Sequence, residues 1–178
     1  MPYGNRQTSL GRMGHPKKNR EQATKVFNLI EPFCVRPVMC GWYRRGLEEG
    51  KQIECVCSFP LHDISPSTGL DIKFGDRKTK RVKGFSLIIE GVQWNFYPTI
   101  DESFGAAILG MTGNFLFTKI IRKRAKELDY RLNQYGLMAG RDIVAGRTEH
   151  QILYMLGIEY VKPTDRNVVG GYKLPIIL

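Results

Sequence analysis

The sequence predicts an α+β fold. Three features carry that prediction: helical apolar spacing over residues 20–33, strand-like runs between residues 38 and 97, and renewed helical spacing over residues 104–109 and 116–128. No internal repeat interrupts this order.

Each element has a local cause. In residues 20–33 the apolar positions Ala23, Val26, Phe27 and Ile30 fall on one helical face, and Pro32 ends the helix. Residues 38–43 read as a short strand, 46–51 as a polar turn and 52–59 as a second strand, after which Pro60, Pro66 and Gly69 break regularity. Strands over 70–74 and 82–89 flank the basic stretch from Arg77 to Arg81. A further strand over 92–97 follows the Glu90-Gly91 turn, making a meander with a basic tip. Gly113-Asn114 separates the two later helices. Residues 134–160 alternate short strands, a glycine-rich turn and one helix over 149–156.

Composition sets the limits. A chain of 178 residues supports one compact domain or two small ones, which excludes a large multidomain enzyme. With 42% hydrophobic and 25% charged residues there is apolar surface enough for a core, so most of the chain falls outside the disordered class. Apolar runs such as Leu87-Ile88-Ile89 are far short of the roughly 18–20 residues a bilayer span needs. The first twenty residues hold five basic and no acidic side chains but no apolar core segment, so they do not read as a secretory signal. A cytoplasmic, nucleoid or viral setting is expected, with no membrane partner, and residues 1–19 are expected to be a flexible basic arm.

Cys34, Cys40, Cys55 and Cys57 do not have zinc-site spacing: Cys55 and Cys57 are two apart in a strand pattern, where a knuckle wants two residues between its paired ligands. They read as small buried hydrophobes. His62 and His150 stand without a partner motif, and neither a Gly-x-Ser-x-Gly elbow nor a Walker phosphate loop is present.

Charge is the stronger signal. The formal net charge is +10, and fifteen of the 27 basic residues fall in three clusters, at residues 1–20, 77–83 and 119–126. Lys119, Arg122, Lys123 and Lys126 are three and four residues apart, so a helix presents them together. A solvated helix face is the ordinary meaning of one such run; three clusters on a basic chain point to a polyanion.

The run Gly41-Trp42-Tyr43-Arg44-Arg45-Gly46-Leu47-Glu48-Glu49-Gly50-Lys51-Gln52-Ile53-Glu54 resembles the signature of family X DNA polymerases, in the nucleotidyltransferase superfamily. The resemblance continues in order through Glu102-Ser103-Phe104-Gly105-Ala106-Ala107, Met111-Thr112-Gly113, Arg131-Leu132-Asn133-Gln134-Tyr135-Gly136-Leu137, Thr148-Glu149, Leu156-Gly157 and Tyr160 to Pro163. It implies a nucleotidyltransferase-type palm, a mixed sheet with helices, over residues 20–110. A small α/β thumb follows over 111–167, with a C-terminal tail over 168–178. This plan is similar to that of a small viral polymerase of the family, without lyase or helix-hairpin-helix regions, and a viral or phage origin is the corresponding expectation.

The family's reaction is attack of a primer 3′-hydroxyl on an incoming nucleotide between two Mg²⁺ ions held by carboxylates. Here the paired metal-binding positions implied by the resemblance are Gln52 and Glu54, and the third is Asn95. Two amides and one carboxylate stand where three negative charges are expected, so Glu54 is at most a weak metal ligand. Asp63, Asp71 and Asp101 lie nearby in sequence but not at the implied position. The small hydroxyl residue after the first glycine is replaced by Trp42, whose bulk would fill the nucleotide phosphate space if it pointed inward.

Other positions survive. Gly41, Arg45, Thr112 and Gly113 are implied nucleotide-binding residues, with Trp42 at the fifth nucleotide-binding position. Arg122 is implied to touch the template strand, with Lys119, Lys123 and Lys126 beside it, while Asn133 and Tyr135 are a strand-supporting pair. Arg77, Lys78 and Lys80 supply a further basic site. The expected function is therefore that of a DNA-binding protein with a family X fold and a degenerate catalytic centre, needing no cofactor. It would act in replication or repair or as a structural accessory factor on duplex or gapped DNA, together with a protein partner of a replication, repair or viral assembly. The alternatives are an active template-directed polymerase or nucleotidyltransferase using Mg²⁺ or Mn²⁺ at an atypical site, and a docking subunit whose basic residues counter an acidic partner.

Overall fold

The computed structural model describes residues 18–58, 72–74 and 84–177. Sequence readings on residues 1–17, on Phe59, His62, Asp63 and Asp71, and on the basic segment with Arg77, Lys78 and Lys80 lie outside the described residues.

The architecture is α+β. A two-residue strand β1 (Lys18–Asn19) leads into helix α1 (Arg20–Ile30), whose start is set by the Asn19 side chain accepting from the Gln22 amide at 2.9 Å. Ala23, Val26 and Ile30 are its buried stripe. Pro32 falls in the short 3₁₀ turn Glu31–Phe33 that closes the segment. Strand β2 (Val38–Met39) is shorter than residues 38–43 promised, because Gly41 takes φ +59° and turns the chain into the short helix α2 (Gly41–Arg44). The polar turn at 46–51 contains β3 (Glu49–Gly50), which pairs antiparallel with β1.

A five-stranded mixed sheet follows in the order β2-β4-β7-β6-β5, with β4 (Ile53–Cys57), β5 (Ile72–Phe74), β6 (Phe85–Ile89) and β7 (Val92–Pro98). β4 and β7 are parallel, and the other pairs are antiparallel. The β6–β7 turn has positive φ at both Glu90 and Gly91, the primed geometry that matches strand twist. Side chains alternate across the sheet. Ile53, Cys55, Leu87, Trp94 and Phe96 pack beneath α1, whereas Val56 and Tyr97 face helix α3 (Phe104–Thr112) with Phe104, Ala107 and Ile108.

α3 is apolar nearly all round and is buried between two layers. Its Ala106 and Leu109 enter a second core with helix α4 (Phe115–Glu127), the antiparallel sheet β8 (Arg131–Asn133), β9 (Gly136–Ala139) and β10 (Asp142–Ala145), and helix α5 (Glu149–Met155). The first hairpin strand begins at Arg131, ahead of the expected residue 134. Asn114 and Thr148 cap α4 and α5 by accepting from the Phe117 and Gln151 amides. The C-terminal segment returns onto this layer: the Glu159 amide donates to Pro175 O and the Ile177 amide to Gly157 O. No helix among the described residues is long and apolar enough to cross a membrane.

Candidate nucleic-acid interface

The three implied metal-site positions do meet. Parallel pairing sets Glu54 opposite Asn95, and antiparallel pairing sets Ser86 opposite Asn95, all on the α3 face of the sheet. Gln52 Nε2 donates to Glu54 Oε1 at 2.7 Å, and Asn95 Nδ2 donates to the same oxygen at 3.4 Å. Asn95 Oδ1 in turn accepts from Ser86 Oγ at 2.7 Å and from Gln93 Nε2 at 3.1 Å. Gly41 closes the site, since a Cβ there would stand 3.3 Å from Glu54 Cγ. Burial raises the Tyr97 hydroxyl above its ordinary range, and the neighbouring Glu54 carboxylate raises it further.

This donor set does not fit a pair of divalent cations. One carboxylate is present, one of its oxygens already accepts amide N–H groups, and the Asn95 oxygen is occupied by two donors. Magnesium requires near-octahedral oxygen ligation with charge to offset its own. Among the described residues no cluster of three or more His, Cys, Asp and Glu side chains is arranged for a metal. Glu54 Oε2 is buried and takes none of the amide bonds, with the Tyr97 hydroxyl beside the carboxylate.

Trp42 is not in the cleft. Its ring lies in the core under α1, on the sheet face opposite Glu54, with Nε1 donating to Gln52 O at 2.8 Å. Gly50 makes room for it: a Cβ there would come within 2.1 Å of the indole. The inward placement that would fill the phosphate space is therefore not adopted, because burying an indole beneath α1 is the more favourable fate for so large an apolar group.

Arg45 joins the Thr112 region to the C-terminal layer. Its Nη1 donates to Thr112 O at 2.6 Å and its Nε to Asn167 Oδ1 at 2.8 Å, while Asn167 Nδ2 returns a bond to Arg45 O at 3.0 Å. Burial lowers its pKa. Arg45, Thr112, Gly113, Asn114 and Arg122 line a cleft of about 230 Å³ at the α3–α4 junction.

Sequence reasoning missed the ion network behind that cleft. Arg44 donates to Glu149 through both terminal guanidinium nitrogens, at 2.9 and 2.6 Å, and to Thr112 Oγ1 at 2.8 Å. Arg166 is fully buried, donates to Glu149 Oε1 from Nη1 and to Val161 O from Nε and Nη2, and lies over the Phe117 ring. Burial alone would raise the Glu149 carboxyl, but hydrogen bonds and charge from Arg44 and Arg166 outweigh it and the net shift is downward. The double arginine at 44–45 and the Thr148-Glu149 pair were visible in the sequence; the solitary Arg166 had no local signal.

The outward face of α4 carries Lys119, Arg122, Lys123 and Lys126, all exposed, while Phe117, Thr118, Ile121 and Ala125 are buried. Lys123 lies 3.7 Å from Glu127, a solvated pair of small energetic weight. Arg124, from the same run, turns inward and donates to Leu156 O. Asn133 shapes its own hairpin: its Oδ1 accepts from the Tyr135 and Gly136 amides at 2.8 and 3.3 Å. Tyr135 is half exposed and edges a small cavity with Tyr97, Ala107 and Met111. His150 stacks on Tyr160 with ring centroids 3.7 Å apart, and burial pushes the Cys34 and Cys40 thiols up to about 12.

Residues 107–167 match the family model for the DNA polymerase beta thumb. The matched stretch contains most of α3, the basic helix α4, the three-stranded sheet, α5 and the Glu149–Arg166 pair. It supports a polymerase-beta-like relationship for the chain, and with it a DNA-binding role. No curated protein matches the chain.

Proposed function

We propose that the chain is a DNA-binding protein built on a family X palm and thumb, over residues 20–110 and 111–167, whose catalytic centre has degenerated. It serves replication or repair as an accessory or structural factor, in a cytoplasmic, nucleoid or viral setting. The observation that carries the loss of catalysis is the amide–carboxylate cluster: Glu54 is ringed by Gln52 and Asn95, which donate hydrogen bonds where a metal pair would need anionic oxygen. DNA is held by α4, whose exposed Lys119, Arg122, Lys123 and Lys126 meet backbone phosphates, with the partly buried Arg45 at the neighbouring cleft. The experiment is a salt titration of DNA binding by the full chain and by the double variant Lys119→Glu, Arg122→Glu. Steeply salt-dependent binding that the double variant loses supports the reading, and binding that is unchanged in the variant overturns it.

A second reading has one observation in its favour. Glu54 Oε2 accepts none of the amide bonds made to Oε1, and an active nucleotidyltransferase centred on Glu54 with Mn²⁺ would use it. Nucleotide incorporation that depends on Glu54 separates this reading from the first.

A further inference from the structure

The thumb match ends at Asn167, and the chain continues past it to residue 177 as a strap laid across the same layer. Val168 is buried, Tyr172 is half buried with its ring edge-on to Phe117, and Leu174 packs against the same core. An antiparallel bridge between Ile158 and Ile176 closes it. The root of this strap bonds to the wall of the cleft at the α3–α4 junction. Two side chains that line the cleft spend donors on it: Arg45 Nε on Asn167 Oδ1 at 2.8 Å, and Asn114 Nδ2 on Val168 O at 2.7 Å. Arg45 Nη1 is turned to Thr112 O, so the protein itself engages the guanidinium at two nitrogens.

A cleft walled by Arg45 and Arg122 is complementary to phosphate, yet these donors are already satisfied from within. The hold on them is a light one. Asn167 is exposed, where a hydrogen bond exchanges for water at small net cost. Beyond Val168 the strap is fixed by the half-buried Tyr172 and Leu174 and by the bridge, while Val169, Ile176 and Ile177 are exposed and Gly171 turns the chain at φ +84°. Few buried contacts and exposed backbone bonds put such a segment at the low end of local opening free energies. Resting on the reading above, in which Arg45 stands beside the DNA-binding helix, we propose that the strap is an autoinhibitory contact. Asn167 and Val168 occupy the Arg45 and Asn114 donors, and phosphate enters the cleft only when they let go. The phosphate is carried by a nucleotide or by a DNA strand. Strap and phosphate oppose each other, so each weakens the other by the same factor.

The test is isothermal titration of the full chain with inorganic tripolyphosphate and, separately, with gapped DNA. The proteins are the unaltered chain, Asn167→Ala, Asn167→Asp, and Asn167→Ala combined with Arg45→Ala. Asn167→Ala frees Arg45 Nε and is expected to bind about fivefold more tightly, the loss of one competing hydrogen bond. Asn167→Asp keeps the acceptor and adds charge, so it should bind more weakly than the unaltered chain, and Arg45→Ala should cancel the gain. Hydrogen exchange at the Tyr172 and Ile177 amides, which bond to Val169 O and Gly157 O, should quicken when tripolyphosphate saturates the unaltered chain. A gain confined to tripolyphosphate assigns the cleft to the phosphates of a nucleotide, and a gain with DNA assigns it to the strand. No gain in Asn167→Ala with either ligand, a gain that survives Arg45→Ala, or strap exchange unchanged at saturation overturns the proposal. DNA binding by α4 is read in its own salt titration, so failure of that reading is told apart from failure of the strap.

Discussion

Glu54 and Asn95 stand directly opposite each other across the parallel β4–β7 pair, and the asparagine amide donates to the glutamate carboxylate. Two carboxylates at these positions would repel unless a cation lay between them; an amide opposite a carboxylate is bridged by a hydrogen bond instead. Ser86 on β6 extends the bridge to a third strand, so the sheet register is supported by cross-strand hydrogen bonds that call for no ion, while Gln52 and Gln93 add bonds along their own stretches of chain.

Stability should accordingly be indifferent to divalent metal. The melting temperature of the unaltered chain is expected to be the same in EDTA, Mg²⁺ and Mn²⁺. The double variant Gln52→Asp, Asn95→Asp sets three carboxylates together; its melting temperature should fall by several degrees in EDTA, about 1–2 kcal/mol of repulsion, and recover with Mn²⁺. Differential scanning fluorimetry across the three conditions measures both.

Trp42→Ser tests the placement of the indole. Loss of a large ring from the core under α1 should cost about 3–5 kcal/mol in urea unfolding, and leave the hydrogen bonds around Glu54 in place. A ring that lay in the cleft would cost far less to remove.

Glu149→Gln should be equally damaging for a different reason. It leaves the buried Arg166 without its counter-charge, at about 3–5 kcal/mol. The pH dependence has a definite sign. The folded Glu149 pKa lies below its ordinary value of 4.5, so the stabilisation is fully present above pH 4.5 and is lost as pH falls through the lower folded value. Acid unfolding followed by circular dichroism should lose this component in Glu149→Gln.

Charge reversal at Lys119 and Arg122 should act on binding alone. Both side chains are exposed, so the double variant is expected to keep its stability within about 0.5 kcal/mol. The slope of log affinity against log salt should become shallower by about two, one for each phosphate that no longer meets a cation.

The elements most legible in the sequence were those with a period. The α1 stripe, the β6–β7 turn and the basic face of α4 follow from spacing alone. What escaped notice depends on residues distant in sequence. Gly41 belongs by neighbourhood to a strand, and only its positive φ turns the chain into α2. Trp42 could point to either face of the sheet, and the choice was made by the space above Gly50. The two-residue pairing of β1 with β3 is too short to leave a pattern. Arg166 looks like any turn arginine until Glu149, Phe117 and Val161 enclose it.

This polymerase-like chain is expected to bind DNA without extending it. Primer extension on gapped DNA, run with Mg²⁺ and then Mn²⁺ at protein concentrations that saturate binding, tests it most directly. Bound DNA and no incorporation with either ion are expected, for the unaltered chain and for Glu54→Ala alike. Incorporation by the unaltered chain that disappears in Glu54→Ala would contradict it and identify Glu54 as the ligand of a working metal site.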